Sequence, residues 1–134
     1  MKFMMMMSFK TDKETMAQSI MNWPPEDVKA HIQFMKNLNN KLKQAGEFVA
    51  AEGLAWPAEA KIVRAGKNGQ PVTDGVFPES KEFLIGYWII DVENAERAYQ
   101  VAAQASAAPG RGGAPLNMPI EVRQIMGGPP EDFA

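Results

Sequence analysis

The chain of 134 residues contains no cysteine. That absence excludes disulfides, thiolate metal sites and a cysteine nucleophile together. Histidine is nearly as scarce, His31 being the single one. Charge of one sign is lacking too: 14 Lys and Arg stand against 16 Asp and Glu, a formal charge of −2. With no basic patch interleaved with aromatics, no nucleic-acid partner is expected. Hydrophobic runs are short, and none approaches the length of a membrane span. The opening MKFMMMMSF has the basic residue and apolar stretch of a leader. The run is too short, lacks a small-residue cleavage site, and meets Lys10, Asp12, Lys13 and Glu14 at once. A soluble, cytoplasmic protein without a membrane partner is the expectation.

What is present suits one globular domain. With 46% hydrophobic and 22% charged residues the composition is ordinary. A domain of this size hides about two thirds of its unfolded surface. Residues 1–126 are expected to form the domain, and GGPPEDFA, 127–134, an extended tail.

Along the chain, residues 2–9 read as a buried strand. Its run Met4 to Met7 invites a copper(I) reading, because thioethers are soft ligands. Alternate strand residues point to opposite faces, so only two methionines could converge on one ion, and core packing is the simpler account. Next, Pro24, Pro25, Glu26 and Asp27 open a helix in which Val28, His31, Ile32, Met35, Leu38, Leu42 and Ala45 form an apolar stripe, and Gly46 stops it. Glu47 to Leu54 predicts a second strand. Residues 60–64 and 70–73 predict a hairpin turning at Asn68-Gly69. Residues 74–82, DGVFPESKE, read as a loop and 83–92 as the strongest strand. A helix over 93–108 follows, with Ala95, Ala98, Tyr99, Ala102 and Ala105 on one face. PGRGGAP, 109–115, reads as a flexible loop, and 118–126 as the last strand. Apart from the hairpin insert this is βαββαβ, an α+β ferredoxin-like pattern with both helices on one face of an antiparallel sheet.

Two helices cover only one face of such a sheet, and a wet face should alternate apolar with polar residues. The strand 83–92 does not. Phe83, Ile85, Tyr87 and Ile89 form one row, and Leu84, Trp88, Ile90 and Val92 the other. Leaving either row in water forfeits about 1.5–3 kcal/mol per large side chain. A two-fold related copy is the natural cover, so a homodimer is expected; the tail or the hairpin insert folding back is the alternative cover.

The segment DGVFPESKEFLIGYWIIDV, 74–92, closely resembles the DGPF segment of the YCII-related family. Asp74, Gly75, Phe77, Glu79, Lys81, Glu82, Gly86 and Tyr87 match its pattern, while Val76 stands where the family usually has proline. The opening MKFM, AGEFVAAEGL at 45–54 and IEVRQI at 120–125 are similar to it as well. The resemblance implies a dimeric α/β barrel of ferredoxin-like subunits. It also implies two kinds of function. One is small-molecule chemistry with a His-Asp pair, including dehydrochlorinase-type lyases; the other is an association with alternative sigma factors.

The candidate site residues each have a plainer reading. His31 is the only side chain that titrates near neutrality unperturbed, and it fits a general base or a hydrogen-bonded histidine at the core edge. Asp74 fits a pocket mouth or a simple turn, Phe77 a ligand contact or a core anchor, Lys81 a ligand contact or a solvated partner of Glu82. Tyr87 could project its hydroxyl into a pocket or simply pack. Glu52, if buried, would be an acid–base group; if exposed, it is surface. Arg111 could meet an anionic ligand, but PGRGGAP lacks the Lys-Ser/Thr of a phosphate loop and follows a helix instead of opening one. No metal-ligand spacing and no cofactor motif is present. The expectation is therefore acid–base chemistry of lyase or isomerase type in a pocket between the sheet and the first helix, near the dimer interface, with His31, Asp74 and Tyr87 as catalytic candidates and Glu52, Phe77, Lys81 and Arg111 contacting substrate. A non-catalytic metabolite-binding or regulatory module is the alternative.

Overall fold

A computed structural model describes residues 1–10, 19–75 and 82–127. The elements in chain order are β1 (Lys2–Lys10), α1 (Pro25–Gln44), β2 (Phe48–Gly53), β3 (Lys61–Ala65), β4 (Pro71–Gly75), β5 (Glu82–Asp91), α2 (Ala95–Ser106) and β6 (Ile120–Gln124). The main sheet has the order β2-β5-β1-β6, with every pair antiparallel. This is a mixed α+β arrangement that agrees with the expected ferredoxin-like pattern. The insert forms a separate two-stranded sheet, β3–β4.

Both helices form where the sequence predicts them, with α2 shorter than the expected 93–108 at each end. Glu26 and Asp27 lie in the first turn of α1, and Lys41 and Lys43 in its last, each opposing the local end of the helix dipole. Gly46 then adopts a φ of +72°. Its N–H donates to Lys43 O at 3.1 Å and that of Glu47 to Leu42 O at 2.8 Å, a Schellman closure that needs the left-handed residue. Asn94 caps α2, its Oδ1 accepting from Arg97 N–H at 2.9 Å.

The core lies between the helices and one sheet face. Phe3 pairs with Ile90 and Met5 with Trp88 in register, and all four are buried there beside Val92. Leu38 and Leu42 from α1, and Ala98, Val101, Ala102 and Ala105 from α2, close over them. The opposite face carries Met4, Met6, Tyr87 and Ile89, paired Met4–Ile89 and Met6–Tyr87 and only partly covered.

Several sequence expectations need correction. The α2 stripe includes Val101, whereas Tyr99 is 56% exposed, because the buried arc follows 98, 101, 102 and 105 around the helix. On α1, Ile32 is 46% exposed, since full burial falls on the later turns at Leu38 and Leu42 while the first half meets the loop after α2. Leu84 leaves the covered row of β5, where the β1–β5 register shifts between Met7 and Ser8. Asp74 and Gly75 end β4 and Glu82 starts β5, so these three residues of the expected 74–82 loop are strand, and 76–81 lie outside the described residues. The 109–115 segment is tied down: Pro109 bridges Pro115, and Gly110 N–H donates to Ala114 O at 2.7 Å. The hairpin turn is as expected, with Asn68 at φ +59° and Gly69 at +76°.

Candidate functional site

A cavity of about 250 Å³ opens between α1 and the β2–β5 side of the sheet. Two glycines create it. Gly53 and Gly86 stand directly opposite each other in the β2–β5 register, two residues beyond the Ala51–Trp88 pair, and so lie on the helix-covered face. Where two side chains would ordinarily meet the helix, there is none. Met7 of β1, register partner of Gly86, borders the gap. Met35 and Asn39 reach it from α1, and Glu52, Ile85 and Tyr87 line it from the strands.

The fixed polar feature of this cavity is a side-chain pair. Trp88 Nε1 donates to Asn39 Oδ1 at 2.9 Å, and both residues are cavity lining. The indole is thereby held edge-on to the helix, and Asn39 is left with its amide N–H groups as donors. With Met7, Met35 and Ala51 supplying apolar wall, the site combines greasy surface with few polar groups, the usual make-up of a small-molecule pocket. A second depression, about 370 Å³, lies between the helices and is lined by Phe34, Asn37, Leu38, Lys41, Gln104 and Ala107. It carries no contribution from the sheet.

The residues singled out in the sequence scatter. Tyr87 lines the cavity, and Glu52, its register partner, lines it too. Glu52 is exposed, so it is not the buried carboxylate of the acid–base reading. His31 stands farther up α1: its Nδ1 is 3.0 Å from Pro109 O, and its ring meets Trp23 edge-on at 5.5 Å. A carbonyl oxygen only accepts, so Nδ1 carries the proton, and neutral His31 keeps Nε2 as acceptor. Asp74 lies on the hairpin, paired with Arg64 at 2.6 Å, both side chains more than half exposed. Arg111 donates to Asn22 O at 2.8 Å, and the neighbouring Gly112 N–H donates to Asp27 Oδ2 at 2.9 Å. His31 and Asp27 thus fasten the loop after α2 to α1, and Arg111 ties it to the turn before α1. Phe77 and Lys81 lie outside the described residues. Among the described residues, no group of three or more His, Asp or Glu side chains is placed to hold a metal ion.

Sequence reasoning missed Asn39, Met35, Gly53 and Gly86. The available signals were a polar residue four positions after Met35, beside the apolar stripe of α1, and a glycine in each of two neighbouring strands. Also missed was the pairing of Arg97 on α2 with Glu47 before β2. Arg97 Nη2 donates to Glu47 Oε1 at 2.9 Å and Nε to Oε2 at 3.0 Å. The hydrogen bond from Arg97, with its charge, holds the Glu47 carboxyl below the usual carboxylate range, and Glu47 raises the arginine in turn.

An antiparallel four-stranded sheet backed by two helices, with a cavity between first helix and sheet, defines a small α+β protein of ferredoxin-like pattern. The model of the YCII-related domain matches residues 1–113, and the chain belongs to that family. The match ends before β6, which nonetheless completes the sheet beside β1. No curated protein matches the chain. Among the described residues no helix is long and apolar enough to cross a membrane.

Proposed function

We propose that this YCII-related protein is a homodimer that binds a small, largely apolar metabolite in the cavity between α1 and the β2–β5 strands. The observation that carries the reading is the facing glycine pair, Gly53 and Gly86, beneath a fixed Asn39–Trp88 hydrogen bond. Facing glycines discard side-chain packing that a purely structural sheet would use, and the space they leave meets a ready donor on Asn39. The ligand would lie against Met7, Met35 and the Trp88 ring and accept a hydrogen bond from the Asn39 amide.

A thermal-shift screen of the intact protein against a metabolite library tests this directly. The expected result is a saturable rise in melting temperature for at least one compound class, lost when Gly53→Leu fills the cavity. If every compound that shifts the natural protein shifts Gly53→Leu equally, the cavity is not the site and the reading fails.

One observation favours catalysis as a second reading. Glu52 and Tyr87 are register partners on the open sheet face, where Tyr87 pairs with Met6, so a carboxylate and a phenol stand side by side for proton transfer of lyase or isomerase type at the proposed dimer seam. His31, bound through Nδ1 to Pro109, acts in this reading only as a tie between α1 and the loop after α2. For a ligand that the protein turns over, Glu52→Gln and Tyr87→Phe should each slow turnover by about a hundredfold, the scale of one general acid or base. Turnover unchanged in both variants leaves the binding reading alone. A regulatory module, with ligand binding read out by a partner, fits the same cavity and predicts stabilisation without turnover.

The dimer rests on the open sheet face. Met4, Met6, Tyr87 and Ile89 form an apolar centre that the helices do not cover, and a two-fold copy would cover it to close a barrel of two sheets. Sedimentation equilibrium showing a monomer at micromolar concentration would remove this element.

A further inference from the structure

We infer that the β3–β4 hairpin is a docking arm, whose partner is the body of a second copy of this chain. The inference rests on the dimer reading above and adds to it a second contact, outside the open sheet face. All ten residues of the two strands are exposed, and no other described element packs on either strand to more than a marginal extent. A lone two-stranded ribbon is marginal in water unless something covers it.

The root of the arm, in contrast, is anchored. Pro57 is buried, and Trp56 stands edge-on to Phe9 of β1, ring centres 5.5 Å apart. The chain thus takes hold of the end of the sheet and then extends a bare ribbon. The ribbon is also wrongly coated for a solvent-facing one. From the register, Ile62, Arg64, Val72 and Asp74 share one face, and Val63, Ala65, Pro71 and Thr73 the other. Ile62, Val63 and Val72 are 47%, 58% and 45% exposed, so both faces offer apolar surface. A ribbon apolar on both sides suits insertion between surfaces better than lying on one.

Charge points to a copy of the same chain as partner. Lys61, Arg64 and Lys67 against Asp74 give residues 61–75 a net charge of +2, leaving −4 for the rest of a chain whose total is −2. Each arm of a symmetric dimer would therefore meet an acidic body, and two-fold symmetry makes that contact twice. Reach is sufficient: strands of five residues extend roughly 17 Å, against about 10 Å between packed sheets.

Three measurements on the full chain test the arm. Sedimentation equilibrium should give a dimer whose dissociation constant rises at least tenfold in Ile62→Ser/Val72→Ser, with the far-UV spectrum of the body unchanged. Zero-length carbodiimide coupling of mixed light- and heavy-isotope protein should join Lys61 or Lys67 of one copy to carboxylates of the other. Amide exchange in β3 and β4 should quicken on dilution through the dissociation constant, which holds even if the double variant misfolds. A dimer with an unaltered constant in the variant, arm amides indifferent to dilution and no mixed-isotope products overturns the arm while leaving the dimer standing. A natural protein that is monomeric overturns both, as does protection of the arm by an unrelated protein only.

Discussion

Gly53 and Gly86 face each other across two strands, yet a methyl group would fare differently on each. A Cβ added at Gly53 meets nothing within 4 Å, whereas one at Gly86 falls 3.2 Å from the carbonyl oxygen of Glu52. Gly53→Ala should therefore be neutral or slightly stabilising, because alanine loses less backbone freedom on folding. Gly86→Ala should destabilise by about 1 kcal/mol, the low end of overpacking. Urea denaturation of the two variants side by side checks the pair, and equal effects would contradict the geometry. Asn39 is the other residue on which the site turns. Asn39→Leu leaves the part-buried indole N–H of Trp88 without its acceptor, at an expected cost of about 1–2 kcal/mol, and Trp88→Phe in the same background should recover part of it. Single residues of this kind were illegible in the sequence. Nothing in the string FVAAEGL announces that Gly53 will face Gly86, because facing depends on a register set by strands far apart in the chain.

At the scale of elements, the Glu47–Arg97 pair joins the turn after α1 to the first turns of α2. The folded-state value of Glu47 is lowered, so its contribution is complete above the ordinary glutamate range, about pH 4 to 5, and disappears as pH falls through the lower folded value. Glu47→Gln should cost about 1 kcal/mol at neutral pH, discounted because the Arg97 side chain is a third exposed. That difference from the natural protein should shrink to nothing in acid. A gap that does not narrow as pH falls below the ordinary glutamate range would mean the carboxylate charge is not what the pair supplies. Elements themselves were the most legible level. Pro25, Glu26 and Asp27 start α1 and Gly46 ends it for reasons local to those residues, and β1 and β5 announced themselves by apolar runs. Tyr99 was misassigned because alanines surround it on a small helix, and 3.6-residue periodicity alone cannot say which of two adjacent arcs meets the sheet. The 109–115 loop looked loose because its ties come from Asn22 and Asp27, far away in sequence.

For the whole molecule, the two-faced β5 makes a definite claim. Ile89→Glu places a carboxylate opposite Met4 in the centre of the uncovered face. It should yield a monomer by sedimentation while the helical signal is retained, since Trp88, Ile90 and Val92 still face the helices. Loss of helix together with association would show instead that this face belongs to the fold and not to assembly. The candidate site was half legible at this scale. Its place between first helix and sheet followed from the topology. Its chemistry did not: His31 and Asp74 are engaged elsewhere, with Pro109 and Arg64.

The methionine run of β1 has a practical corollary. Pleating sends Met5 into the core at 0% exposure, Met7 to the cavity rim opposite Met35, and Met4 and Met6 to the uncovered face. Four successive thioethers thus sample three environments within a single tryptic-scale stretch of chain. Mild peroxide converts accessible thioethers to sulfoxides and spares enclosed ones. Sulfoxide yield at Met7 and Met35 would report occupancy of the cavity, and yield at Met4 and Met6 would report self-association. Met5, sealed in either case, would serve as the internal standard.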